Sequence, residues 1–356
     1  MPTNGEKYTF ANLISEIRYE KLHRSYDIAL RTVQIVEEII TDEEWKTAQE
    51  LINIIKEQLN LITETLPFAT IPTNVIRHIL KLIREIYTTT YNAEKHKQAQ
   101  RINDLQQSLH HLVTAHSTDS MGNFNQELVS LRSSLKDHLS EYKVELETAA
   151  SNIAEQASEH IHSNEIILTV GKSNLVTRFL KNAAKTRNFQ VIVVENAPDY
   201  KQGQMMATEL ANGKIHTTVV PDSAVFAIMS RVNKVIIGVH SIMANGGLRA
   251  SSGVQSVALA AKECSVPVMV LSHLYKLTPQ YVCSYEQEAF NNIASPSYVL
   301  PYSSGKVLDV AHVYNPVFDY VPPELVTLFI THQGGNATSY VYRLLSELYH
   351  PDDYQL

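Results

Sequence analysis

The sequence predicts an α/β protein: an all-helical N-terminal domain followed by a Rossmann-like, doubly wound and mostly parallel sheet domain. Two observations carry this. Up to about residue 160 the apolar residues recur at steps of three and four, and almost no strand signal precedes Ile166. After Ser163 they come instead as short β-branched runs separated by stretches of helical length. The expected division is a helical domain over 1–123, a long connecting helix over 124–162, and the sheet domain with an oligomerisation surface over 163–356.

The helical part reads in order. Thr41 to Glu44 has the spacing of a capping box, and behind it Trp45, Ala48, Ile52, Ile55, Leu59 and Ile62 make one apolar stripe. Asn74 is placed to cap a second helix, whose Ile76, Ile79, Leu80, Ile83 and Tyr87 face one way. Ile102, Leu105, Leu109 and Leu112 mark a third, and His116 to Asn123 breaks the pattern. A long helix is expected from about Asn125 to Ile161, striped by Leu128, Leu131, Leu135, Leu139, Tyr142, Leu146, Ala150, Ile153 and Ala157. Such a stripe packs inside its own domain or is offered to a partner.

In the second half the expected strands are Ile166 to Val170, Val191 to Glu195, Thr217 to Val220, Lys234 to Gly238 and Val268 to Leu271. Asn174 to Lys185 and Ser251 to Lys262 are of crossover-helix length. Phe318, Tyr320, Leu325, Leu328, Phe329, Tyr340, Tyr342, Leu344, Leu345, Leu348 and Tyr349 concentrate apolar and aromatic surface toward the C-terminus, as core or as subunit contact.

Composition narrows the function classes. A net charge of -7 argues against general electrostatic binding of nucleic acid. The only cysteines, Cys264 and Cys283, lack metal-ligand spacing and suit a reducing compartment. No apolar run approaches the roughly 20 residues that span a bilayer, so a cytosolic protein is expected. His110 with His111, and His160 with His162, diverge on their helices and make no metal site.

Two loops follow strands in the places where open α/β sheets hold ligands. Gly171, Lys172 and Ser173 imitate the end of a phosphate-binding loop, but Ile166 stands where that motif needs its first glycine. What remains is the anion preference of a helix N-terminus. The other loop, after Gly238, offers His240, Ser241, Asn245, Gly246, Gly247 and Arg249 but no carboxylate. Asn245 to Gly247 also suit a plain tight turn.

This segment, GVHSI followed by ANGG, resembles the signature loop of a family that joins methylthioribose-phosphate and ribose-bisphosphate isomerases to the regulatory subunits of eukaryotic translation initiation factor 2B. The resemblance extends to IHSNE (161–165), ENAP with Gln202 and Gly203, FDYVPPELVT (318–327), NVIRHILKLIREIY (74–87) and SELYHPDD (346–353). The last of these resembles the beta branch, since the alpha and delta branches close differently.

By this resemblance the isomerases' acid/base aspartate is His240 here and their cysteine is Gly171, so both titrating partners of the proton transfer are missing. The family implies a non-catalytic scaffold without cofactor or metal. It assembles with alpha, gamma, delta and epsilon subunits into a decamer of two copies each, the epsilon chain carrying nucleotide exchange on initiation factor 2. It further implies docking of that factor's alpha subunit on the helical domain, with phosphorylation turning substrate into inhibitor, and neither membrane nor direct nucleic-acid contact. The residues implied at subunit interfaces are His162, Asn164, Ile166, Phe318, Tyr320, Pro322, Pro323 and Leu325. Gly171, His240, Asn245, Gly246, Gly247 and Arg249 are implied as a vestigial ligand loop. The alternatives are an active isomerase and a sugar-phosphate-binding module.

Overall fold

The computed structural model describes residues 9–19, 21–22, 24–42, 44–102, 124–281 and 290–354, with side chains for all of these except 96–102, 306 and 308. Of the expected third helix, Ile102 ends the long helix that begins at Thr70, while its Leu105, Leu109 and Leu112, the break at His116 to Asn123, the pair His110 and His111, and Cys283 lie outside the described residues. The chain forms two compact units: a helical unit of Met1–Val144 with Leu348–Leu356, and a sheet unit of Glu145–Glu347. The helical unit is therefore discontinuous in sequence.

In the helical unit, α1 (Phe10–Arg18) and α2 (Ser25–Asp42), which were not foreseen, bury Leu13, Val33 and Val36, and α3 (Ala48–Thr65) and α4 (Thr70–Ile102) bury the expected apolar faces, with Ile55, Leu59, Ile76 and Ile83 at 0% exposure. Two helix starts differ from expectation. Thr41 belongs to the last turn of α2, where its hydroxyl donates to Glu37 O at 2.8 Å, and the capping box is formed by Thr47 and Glu50. Both sites carry the Thr-x-x-Glu spacing, and only the second stands where a helix begins. Trp45 lies between the helices, its indole N–H donating to Ile40 O at 3.2 Å. Asn74 sits inside α4 rather than capping it, buried and accepting from Arg77 at 3.5 Å. The helix begins ahead of Pro72, which is harmless in a first turn.

The long helix α5 (Leu131–Glu155) is shorter than expected at both ends and is followed by a one-turn α6 (Ala157–His160). Its residues up to Val144 count with the helical unit and those from Glu145 with the sheet unit.

The sheet unit is built on β1 (Ile166–Val170), β2 (Gln190–Val194), β3 (His216–Val220), β4 (Lys234–Gly238), β7 (Val268–Leu271), β9 (Leu328–Thr331) and β10 (Gly334–Asn336), in the order β10-β9-β7-β4-β1-β2-β3. All pairs are parallel except β10 with β9. The crossovers contain α7 (Asn174–Ala183), α8 (Tyr200–Asn212), α9 (Val225–Met229) and α10 (Val254–Glu263). Short α11 (Gly305–Leu308) and α12 (Val341–Leu348) follow. Ile153, Ala157 and Ile161 pack with Ile167, Phe179, Val191, Met206 and Ile236 in one core cluster. β5 (Ser241–Ile242), β6 (Leu248–Ser251) and β8 (Phe318–Val321) form a separate antiparallel sheet in the order β5-β6-β8.

The five expected strands are all present, whereas β9 and the small sheet were not foreseen. β9 has four residues, and Phe329 and Ile330 in it are buried on the core rather than offered outward. Leu344, Leu345 and Tyr349 are buried too, while Tyr340 and Tyr342 are exposed. Among the described residues no helix is long and apolar enough to cross a membrane.

Candidate functional site

Because β1, β4, β7 and β9 run parallel as neighbours, the loops at their carboxyl ends open on one side of the sheet. Gly171 leaves β1 at φ +57°, and a Cβ built on it lies 3.3 Å from the Asn196 side chain, so a larger residue is opposed by both backbone and space. Ser173 caps α7 by accepting from Val176 N–H, and Gly238 leaves room for it: a Cβ there would stand 2.5 Å from Ser173 Oγ. Lys172 turns away, lining an open groove of about 490 Å³ with Lys201 and Glu209.

After β4, the His240 N–H donates to Arg249 O at 3.1 Å and its ring lies 4.6 Å from that of Phe318. Arg249 is 4% exposed, with its guanidinium 4.9 Å from the Phe290 ring and 5.7 Å from Phe318. Lys276 Nζ donates to Val239 O at 2.7 Å. Burial holds the Lys276 ammonium down to about 8, and among the described residues no carboxylate pairs with it. His240 is pushed to about 3 by desolvation, then by the charges of Lys276 and Arg249. His273 is likewise pushed to about 3 by desolvation, then by Lys276, His332 and Arg178. The charge of Lys276 thus acts on both histidines, and His273 stacks on Tyr275 at 4.9 Å.

At this end of the sheet, Thr169 Oγ1, Asn196 Oδ1, His240 Nδ1, Ser241 Oγ, His273 Nδ1 and His332 Nδ1 are buried without a hydrogen-bond partner among the described residues. His332 uses its other nitrogen on Glu145, at 3.2 Å. Such atoms are rare in folded proteins, each costing about 1–3 kcal/mol when left bare. The chemistry on offer is positive charge and hydrogen bonding toward an anion. A histidine held near 3 is no general base at neutral pH.

Of the residues singled out in the sequence, Gly171, His240 and Arg249 meet at this sheet end, but the Asn245 turn serves the small sheet. Asn245 is exposed, its Oδ1 accepts from Gly247 N–H at 2.9 Å, and its amide donates to Tyr320 Oη at 2.7 Å. Gly246, at φ +81°, completes the turn between β5 and β6. His273, Lys276 and His332 were missed. The rule that located His240, a loop after a buried strand, applies equally to the residues after Leu271 and would have found two of them.

The residues expected at subunit interfaces fall in two places. His162 and Asn164 are exposed ahead of β1, where His162 N–H donates to Glu165 at 2.9 Å and Asn164, at φ +67°, donates to Asn188 O at 2.7 Å. Ile166 N–H donates to Asn233 Oδ1 at 2.8 Å. Phe318 and Tyr320 are half-buried in β8, Pro322 and Pro323 follow it half-buried, and Leu325 is buried.

A sequence model of the initiation factor 2 subunit family matches residues 21–338. The chain belongs to that family. Within it, the chain is 38% identical to the translation initiation factor eIF2B subunit beta of Dictyostelium discoideum, over 96% of this chain and 95% of that one. It is 27% identical to the ribose 1,5-bisphosphate isomerase of Pyrococcus furiosus over 81% of this chain and 78% of the isomerase. Among solved structures it is similar to the tetrameric eIF2B-beta2-delta2 complex from C. thermophilum, with a TM-score of 0.69 and 23% identity over 96% of this chain and 94% of the other. That likeness establishes the helical-then-α/β fold of the family for this chain. The SELYHPDD ending suggested the beta branch, and the Dictyostelium relative is a beta subunit.

Proposed function

We propose that this chain is a non-catalytic regulatory subunit of the guanine-nucleotide exchange factor for translation initiation factor 2, acting in the cytosol. The observation that carries the reading is the near full-length similarity to an eIF2B beta subunit. The state of the sheet end supports it: glycine and a half-buried neutral histidine occupy the positions that the isomerase resemblance assigns to the reacting groups. In this reading the chain assembles with alpha, gamma, delta and epsilon subunits, two copies of each, and the epsilon subunit performs exchange. The similarity to a beta2-delta2 complex supports the delta contact in particular. His162, Asn164 and Ile166 on one side, and Phe318, Tyr320, Pro322, Pro323 and Leu325 on the other, are the proposed contact residues. The helical unit docks the alpha subunit of initiation factor 2, and the phosphorylated form favours a different arrangement of the assembly, with coupling bounded by the difference of the two affinities.

Native mass spectrometry of the chain co-expressed with the other four subunits tests this. A complex containing two copies of each is the expected result. A self-contained homo-oligomer that ignores those chains overturns the proposal. Charge reversals on the exposed face of the helical unit that leave affinity for initiation factor 2 unchanged overturn the docking part alone.

A second reading rests on the bare polar atoms around Lys276: the sheet end binds a phosphorylated small molecule, such as a sugar phosphate, without turning it over. Calorimetric titration with ribose phosphates measures it directly. Heat that disappears in Lys276→Met supports it, and absence of any binding removes it.

A further inference from the structure

We propose that Leu348–Tyr354 is a resident peptide ligand of the helical unit, seated in a cationic cleft between α3 and α4, and that the helical unit holds its fold only while this segment is in place. Two of the segments singled out in the sequence, NVIRHILKLIREIY and SELYHPDD, meet here. The Asp353 carboxylate is completely buried. Arg84 grips it with both terminal nitrogens, Nη2 at 2.9 Å from Oδ1 and Nη1 on Oδ2, and Lys56 Nζ stands 3.3 Å from Oδ1. Arg77, 0% exposed, donates from Nε to the Asp353 carbonyl at 3.0 Å. His78 Nδ1 donates to the Leu348 carbonyl at 3.1 Å, and Tyr349 fills the interior at 1% exposure. Lys56 lies on α3, while Arg77, His78 and Arg84 lie on α4.

These cations repel one another, and two of them are shut away from water. Without the acidic segment the cleft keeps buried positive charge facing no carboxylate from Asp353, a strongly unfavourable state. Residues of the first 144 positions thus form the receptor, and a segment more than 200 residues further along supplies the ligand that neutralises it. The contact is a latch with a defined chemistry: an acidic turn received by two arginines and a lysine.

Hydrogen exchange by mass spectrometry on the full-length chain tests the latch. Asp353→Asn is expected to speed exchange of α4 amides about 100-fold while β1 and β2 keep their rates. The pair Arg84→Met with Asp353→Leu restores slow exchange, because it removes both members of the bidentate contact at once, while Arg77 keeps the backbone carbonyl at 353 and the partly exposed Lys56 reaches water. Adding synthetic peptide of residues 348–356 to the Asp353→Asn chain brings protection back toward the parent level. Should Asp353→Asn give no folded chain, Lys56→Met carries the same test with about 10-fold faster exchange, since the Arg84 grip remains. Unchanged α4 exchange, equal loss in both units, or a double variant that behaves like Asp353→Asn overturns the proposal.

Discussion

Replacing Lys276 by methionine should stabilise the free protein at neutral pH and remove part of its alkaline stabilisation. Desolvation brings the Lys276 pKa from 10.5 to about 8, which corresponds to about 3 kcal/mol set against the ammonium form in the folded state. The sign follows from proton counts. Between pH 8 and 10.5 the folded chain has released this proton and the unfolded chain keeps it, so stability rises with pH across that window and is lost again as pH falls through 8. Methionine fills similar volume without charge, and forfeits the 2.7 Å bond to Val239 O, about 1 kcal/mol. The variant should therefore be more stable by about 2 kcal/mol at pH 7 and less stable by about 1 kcal/mol above pH 10.5. Melting of both proteins by differential scanning calorimetry at several pH values between 7 and 10.5 reads this as a difference in Tm that shifts by roughly 6–12 °C over the range. A difference that stays constant with pH would refute the reasoning, because it would mean that the ammonium is not held in a poorly solvated place.

Three other outcomes are expected. His273 is neutral in the fold, and burial followed by the neighbouring cations keeps its pKa near 3, so its contribution to stability is present above pH 6.5 and lost as pH falls from there toward 3; His273→Gln should flatten the acid limb of the stability curve. Gly203→Ala should lower the Tm of the sheet unit by several degrees, because its new Cβ would stand 2.5 Å from Glu195 Cα and 2.8 Å from Val194 O, and the roughly 1 kcal/mol gained in helix propensity does not offset a backbone clash. Gly305→Ala, where nothing lies within 4 Å, serves as its control in the same thermal scan. Thr47→Ala should cost about 1 kcal/mol by opening the capping box of α3, seen as faster exchange of the Glu50 amide, whose N–H donates to Thr47 Oγ1 at 3.2 Å.

The strand runs of the sheet were legible because a strand covered on both faces is written as a continuous β-branched run, as in Val235, Ile236 and Ile237. The faces of α3, α4 and α5 were legible for the corresponding helical reason, and the residues of those stripes are buried as their spacing required, except that α5 buries Ala149 and leaves Ala150 half-buried. Helix ends were less so. Thr41 and Thr47 carry the same local signal, and the choice between them depends on where α2 stops, which its packing decides. β9 was hidden because four residues after a proline pair carry no period of their own, and its place beside β7 is a long-range pairing.

The candidate site divides in the same way. Gly171 and His240 could be read as replacements in a known pattern, since each lies in a loop whose preceding strand is recognisable. Lys276 gains its character from desolvation, and His273 from desolvation and then from the charge of Lys276, and no local sequence carries that information.

By itself, then, the sequence determined the order of helical and sheet regions, the strand and helix faces, and the family, because these are set by periodicity and by short motifs. Only the tertiary structure decided that Asp353 would close a cleft built from Lys56, Arg77 and Arg84 in the helical unit. A buried charge must find its counter-charge wherever the fold places one, and separation along the chain puts no mark on either partner.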